Sequence, residues 1–473
     1  MNTFKKTPIN ALLAILLAHS LPVHAVDKPK TMEEMWQIIK AQQQQIDSLK
    51  AAVAAKTEPN ATVSTSTATP APASNEVKNL ERKTNVLSQE VERLRTNLAI
   101  PEEAKYKSAY GLGPAASKVY GIGKGLSIGG YGEGNYQTFV GDKNGKTDVA
   151  DMERMVLYAG YKFSDRILFN SELEFEHATT GEGAEEKGEV SVEFAALDFF
   201  INPLANIRAG MVLIPMGFIN QIHEPPFFFG NNRPEVERRI IPSTWREMGV
   251  GLFGQITPDL SYTAYIVNGM NAAGYNANGI RDGRQAGSNT QAENFGYVVR
   301  MDYNPQAVPS VTLGGSSYVG YAGQNQTYAG QKINALTQLY EGHLQWKYRG
   351  LEVRALGSWG HIDDAGVLSA AKGQTIGSEN YGWYTEVGYD ILPLLFQDST
   401  QYLAPFFRYE QYDTIANAPT GYADDNSKDQ YIYQFGLQYK PIPNVVIKAD
   451  YRNFNAKKGS LADDFNLGFG FIF

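Results

Sequence analysis

Cysteine is missing from all 473 residues, which removes disulfide frameworks, thiolate metal sites and cysteine nucleophiles together. Past the N-terminus no run of roughly 18 apolar residues occurs, so a membrane-crossing helix is not available. Positive charge is in deficit. The formal net charge is −8, and without a basic surplus nucleic acid is not an expected partner. Histidine is scarce, and His177, His223, His343 and His361 lie in separate segments without His-x-His or His-Glu-x-x-His spacing. Neither a metal ligand set, a cofactor site nor a catalytic constellation can be read from this scatter, and the chain is not expected to be an enzyme.

What is abundant points elsewhere. Tyr 28, Gly 46 and an aromatic share of 12% suit strands and turns, while a mean hydropathy of −0.33 is too polar for a helical membrane protein. Lys5 and Lys6 precede the apolar stretch Ala11 to Ala18, and Val23-His24-Ala25 supplies small residues for cleavage, so residues 1–25 read as a secretory signal. Met32, Ile39, Ile46 and Val53 recur every seven residues, which predicts a coiled coil within 26–56. Residues 57–76 form a Thr/Ser/Ala/Pro linker, and Pro59, Pro70 and Pro72 forbid a continuous helix there. A stronger heptad seam, Val77, Thr84, Val91 and Leu98 with Leu80, Leu87 and Leu94, predicts a second coiled coil over 77–100. Residues 101–125 form a connector.

From 126 to 473 the sequence alternates apolar and polar residues in short segments. Seven tight turns are expected, at Ser164-Asp165, Asn202 to Asn206, Thr257 to Asp259, Asn304 to Gln306, Arg349-Gly350, Leu392-Pro393 and Lys440 to Asn444. Longer Gly/Asn/Asp-rich connections alternate with them, which gives eight hairpins and sixteen strands. One face carries Met155, Leu157, Phe175, Tyr340, Trp383, Phe435 and Ile447; the other carries Arg154, Glu172, Glu174, Glu176, Arg208, Arg300, Arg354, Arg408 and Arg452. A soluble barrel could not house so many charges inside, so the aromatic face is expected to meet lipid and the charged face a polar lumen. The fold class is therefore all-β, a 16-stranded antiparallel transmembrane β-barrel preceded by α-helical coiled-coil segments. Gly129 to Gly134 has no helix behind it and is not a phosphate loop; its small residues predict a close approach of another wall or loop.

The connection from Pro215 to Trp245 is too apolar for a solvated loop. Phe227, Phe228 and Phe229 are expected to bury against the wall and to present His223, Glu224, Arg233, Arg238, Arg239 and Arg246 at a constriction. The final stretch places Phe465, Leu467, Phe469, Phe471 and Phe473 on one face, and resembles the C-terminal strand of bacterial outer-membrane barrels, whose last Phe is read by the barrel-assembly machinery. Phe473 is thus the expected assembly signal. The strand pattern, the Glu172-Glu174-Glu176 strand, Arg208-Ala209-Gly210-Met211 and Pro215-Met216-Gly217 before an Arg-bearing loop resemble the phosphate-selective porin O/P family. That resemblance implies a homotrimer of channels in which inward Arg and Lys carry anions such as phosphate. Most of the inward arginines here have a carboxylate nearby in sequence, and pairing across the wall would leave a weakly selective field. The expected partners are outer-membrane lipid and small hydrophilic solutes, with the N-terminal segment in the periplasm. A structural tether, in which the coiled coils bind cell wall or an envelope partner, is the alternative.

Overall fold

The computed structural model describes Lys83, Thr84 and residues 107–141, 143, 145–180, 188–308, 310–396 and 399–473. The expected signal peptide, first coiled coil and linker lie outside the described residues. So does the second coiled coil, apart from Lys83 and Thr84, which are helical and exposed.

Sixteen antiparallel strands close into one barrel. They are β1 (Gly125–Val140), β2 (Val149–Ser164), β3 (Ile167–Glu176), β4 (Val190–Phe199), β5 (Asn206–Leu213), β6 (Arg246–Thr257), β7 (Leu260–Asn268) and β8 (Phe295–Tyr303). The second half comprises β9 (Val311–Tyr321), β10 (Leu336–Tyr348), β11 (Leu351–Ile362), β12 (Glu379–Tyr389), β13 (Tyr402–Asn417), β14 (Asp429–Ile442), β15 (Val445–Ala456) and β16 (Asp463–Ile472). Each strand pairs with its sequence neighbours, and β16 returns to β1. Short turns gather at one rim and long loops at the other. The connection at Leu392-Pro393 differs from expectation. Pro393 sits at the start of a helical turn, Leu392–Leu395, where its fixed φ is favourable, so the link from β12 to β13 is longer than a tight turn.

The alternation has the predicted sense. Met155, Leu157, Phe175, Tyr340, Trp383, Phe435 and Ile447 are exposed on the outer face, whereas Arg154, Glu172, Arg408 and Asp450 are buried inside. No described helix is long and apolar enough to cross a membrane; the strands form the transmembrane wall.

Aromatic rings and glycines share the closing seam. Gly130, Gly132 and Gly134 of β1 lie under the rings of Phe473, Phe471 and Phe469, and a Cβ on Gly132 would stand 2.7 Å from the Phe471 ring. The rings cover backbone that the glycines leave bare. Phe473 also completes the ladder: its N–H donates to Gly130 O at 2.9 Å, and its carbonyl accepts from Gly130 N at 3.0 Å.

Two segments fill the interior. The 32 residues between β5 and β6 fold inward, with Ile214, Met216, Val236, Ile240, Ile241 and Trp245 buried in the largest apolar cluster. The residues before β1 do more than connect. Leu112, Ala115 and Ala116 pack on Tyr131, Tyr158 and Phe194 inside the short-turn rim.

Candidate functional site

The inward loop is tied to itself before it is tied to the wall. Asn220 donates to Ile214 O (2.6 Å) and Trp245 O (2.9 Å) and accepts from Trp245 N (2.6 Å), which cinches the loop base. Gly217 has a φ of +69°, and a Cβ there would lie 2.4 Å from Glu237 Oε2. Only glycine suits both the left-handed conformation and the close approach. Glu237 uses that space: it accepts from Ile219 N at 2.7 Å and from the Tyr384 hydroxyl of β12 at 2.6 Å.

The wall cations hold the loop by its carbonyls. Arg300 donates to Gly217 O at 2.6 Å, Lys440 to Pro226 O at 2.6 Å, Arg408 to Phe229 O at 2.7 Å and Lys448 to Gly230 O at 2.8 Å, and Arg354 reaches Phe227 O. Lys448 also sits 3.7 Å from the Phe228 ring centre, and Phe229 stacks on Phe406. A row of loop carbonyls thus faces a row of wall arginines and lysines.

The predicted lumen-facing residues point inward as the strand period requires, but most are covered and paired. Arg154 contacts Glu133, Glu153 and Glu174, with Glu176 at 4.0 Å. Arg208 grips Asp198 and donates to Tyr110 O and the Tyr120 hydroxyl, which holds the segment before β1. Arg300 pairs with Asp302, Arg354 with Glu352 and Glu386, Arg408 with Glu386, and Arg452 with Asp464. This row is not a bare ladder along open water. The inward loop and the neighbouring carboxylates consume most of its donors.

The predicted constriction residues divide in the same way. His223 and Glu224 are buried, and Arg246 is buried against Glu193 at 2.7 Å. Glu224 accepts from the backbone N–H groups of Ala115 (2.9 Å) and Ala116 (3.2 Å), so it clasps the N-terminal segment rather than facing solute. Arg239 and Arg233 are half-buried, and Arg238 is exposed. Glu235 pairs with Arg238 at 3.3 Å and Arg239 at 3.1 Å, and lies 3.7 Å from Arg452.

The loop between β7 and β8 adds two arginines that sequence reasoning did not single out. Arg281 donates to Ser243 O and Arg238 O, and Arg284 donates to Ser243 O and Thr244 O at 2.9 Å each. Burial, then Arg284, Arg238 and Arg233, push Arg281 down to about 9; burial and then Arg246 push Arg284 down to about 10. Guanidinium groups close enough to be lowered by neighbouring arginines thus gather at the long-loop side of the inward loop.

Glu193 was also missed, for a geometric reason. Glu172 pairs with Phe194 and Leu173 with Val192, so Glu193 is the extra residue of a β-bulge and turns inward beside Phe194. The bulge reverses the alternation halfway along β4, which hides Glu193 from any simple parity count.

A protein of Aquifex aeolicus (strain VF5), described as uncharacterized, is 39% identical over 371 residues, spanning 76% of this chain and 82% of that one. This chain belongs to that protein's family. No family model matches the sequence. Among solved structures, the chain is similar to Salmonella typhi OmpF in complex with daunomycin, at 13% identity and a TM-score of 0.51, covering 74% of this chain and 98% of that one. It is also similar to the outer membrane channel DcaP of Acinetobacter baumannii, at 14% identity and a TM-score of 0.48, with the same coverages. At its identity the OmpF likeness concerns the fold.

Proposed function

We propose that this protein is an outer-membrane porin, a water-filled channel for passive diffusion of small hydrophilic solutes, assembled as a homotrimer with its short-turn rim in the periplasm. The observation that carries this reading is a sixteen-stranded transmembrane barrel with a charged interior, crossed by an inward loop that leaves Arg238 exposed. Such a wall with a polar lumen suits permeation.

The solute preference we assign is for small anions, phosphate among them. Arg238, Arg281 and Arg284 face one another across two loops, and an anion between them would relieve their mutual repulsion. The wall arginines contribute less, because carboxylates pair with them, whereas among the described residues no carboxylate lies within ion-pair distance of Arg281 or Arg284. Selectivity therefore resides at the loop cluster.

Liposome swelling tests the channel directly. Vesicles carrying the purified full-length protein should swell in isotonic solutions of small hydrophilic solutes, faster for anionic than for cationic solutes of equal size. Vesicles that behave like protein-free controls would refute permeation. Equal rates for both charge classes would refute the assigned preference.

A further inference from the structure

The bulge on β4 turns Glu193 toward Glu172 of β3, and His223 of the inward loop comes down onto both. His223 Nε2 lies 3.1 Å from Glu172 Oε1 and 3.8 Å from Glu193 Oε2, and one ligand atom from each of the three residues falls within 4.8 Å of the others. All three side chains are at least nine-tenths buried. Glu172 Oε2, Glu193 Oε2 and His223 Nδ1 have no hydrogen-bond partner, and neither does the Tyr131 hydroxyl, whose ring stands edge-on to His223. Buried polar atoms left without partners are costly, and several around one point call for an occupant.

Charge identifies its sign. The buried carboxylates here are Glu133, Glu172, Glu174 and Glu193, and the buried guanidinium groups are Arg154 and Arg246. The half-buried Glu153 and Arg233 offset each other. Carboxylates outnumber the cationic side chains around this point, Lys448 beside Glu133 included, so the occupant is a cation. Glu224 stands apart, because backbone N–H groups already serve it.

We propose that Glu172, Glu193 and His223 bind a divalent transition-metal ion of the zinc class, which clasps the inward loop to the barrel wall. Two carboxylates and an imidazole suit a borderline metal such as zinc or manganese; calcium and magnesium favour all-oxygen shells. Tetrahedral zinc with bonds of about 2.0–2.2 Å sets its ligand atoms about 3.4 Å apart, close to the separations seen here. Three protein ligands leave a fourth position for water. Because His223 adjoins Glu224, the clasp would sit where the loop also grips the segment before β1.

The test uses the full-length protein in detergent micelles, stripped with a chelator, incubated with zinc alone, dialysed and analysed by elemental mass spectrometry. One zinc per chain is expected, and cobalt in its place should give the visible absorption of a low-coordinate site. Glu172→Gln and His223→Gln should each weaken retention by at least about tenfold, with folding checked by circular dichroism. Folded wild-type protein that retains no zinc and gives no cobalt spectrum would overturn the proposal, leaving water as the occupant. Stoichiometric metal that persists in both folded variants would overturn it equally, by locating the ion elsewhere.

Discussion

Replacing Asn220 by alanine attacks the inward loop at its base. The side chain makes three hydrogen bonds, to Ile214 O, Trp245 O and Trp245 N, in a fully buried setting. Trp245 O keeps its bond from Ile214 N and Ile214 O keeps one from Met216 N, but Trp245 N loses the amide oxygen that it donates to. A buried group orphaned in this way costs about 1–3 kcal/mol. At about 2 kcal/mol for Trp245 N, the open population of the loop base rises about 30-fold. Hydrogen exchange read by mass spectrometry on a peptide spanning 240–247 should show that acceleration, while β12 and β13 peptides stay protected. In planar bilayers the variant should add larger, flickering conductance levels absent from the wild type. Unchanged exchange and unchanged conductance in a folded variant would refute the idea that the base of the loop holds it in the lumen.

Further outcomes follow from the same contacts. Arg408→Met leaves buried Glu386 with Arg354 alone, takes the donor from Gln434 Oε1 and releases Phe229 O, so the temperature at which the folded band unfolds on a gel should drop, in line with a loss of about 3 kcal/mol; adding Glu386→Gln should restore part of it. Deleting Phe473 removes both ladder bonds to Gly130, so the yield of inserted barrel should fall while the ion selectivity of the barrels that form stays as in wild type. Neutralising Arg238, Arg281 and Arg284 together should move the reversal potential in a salt gradient toward cation preference, most strongly at low ionic strength. A reversal potential that does not move would place selectivity elsewhere.

The barrel was legible because a two-residue period is a local property: Met155 out and Arg154 in are decided by adjacent positions. What the arginines do was not legible. Arg300, Arg354 and Arg408 are inward by parity, but whether each meets water or a carbonyl depends on a loop distant in sequence. The apolar run around Phe227 to Phe229 did signal a loop that must bury itself, whereas its anchors, Glu237 on Tyr384 and Asn231 on Asp450, are long-range pairings with no local signature. Arg281 and Arg284 sit in a Gly/Asn-rich stretch that reads as an ordinary surface loop. Glu193 escaped because one inserted residue inverted the pattern of its strand. The segment before β1 read as a plain connector, since nothing in Gly111-Leu112-Gly113-Pro114 announces that Glu224 will bind the backbone just beyond it.

Permeation through the barrel is the central claim, and single-channel recording of the purified full-length protein in a planar bilayer tests it most directly. Discrete, reproducible conductance steps are predicted, with a reversal potential in a salt gradient on the anion side. A correctly folded protein that inserts and stays electrically silent would contradict the account.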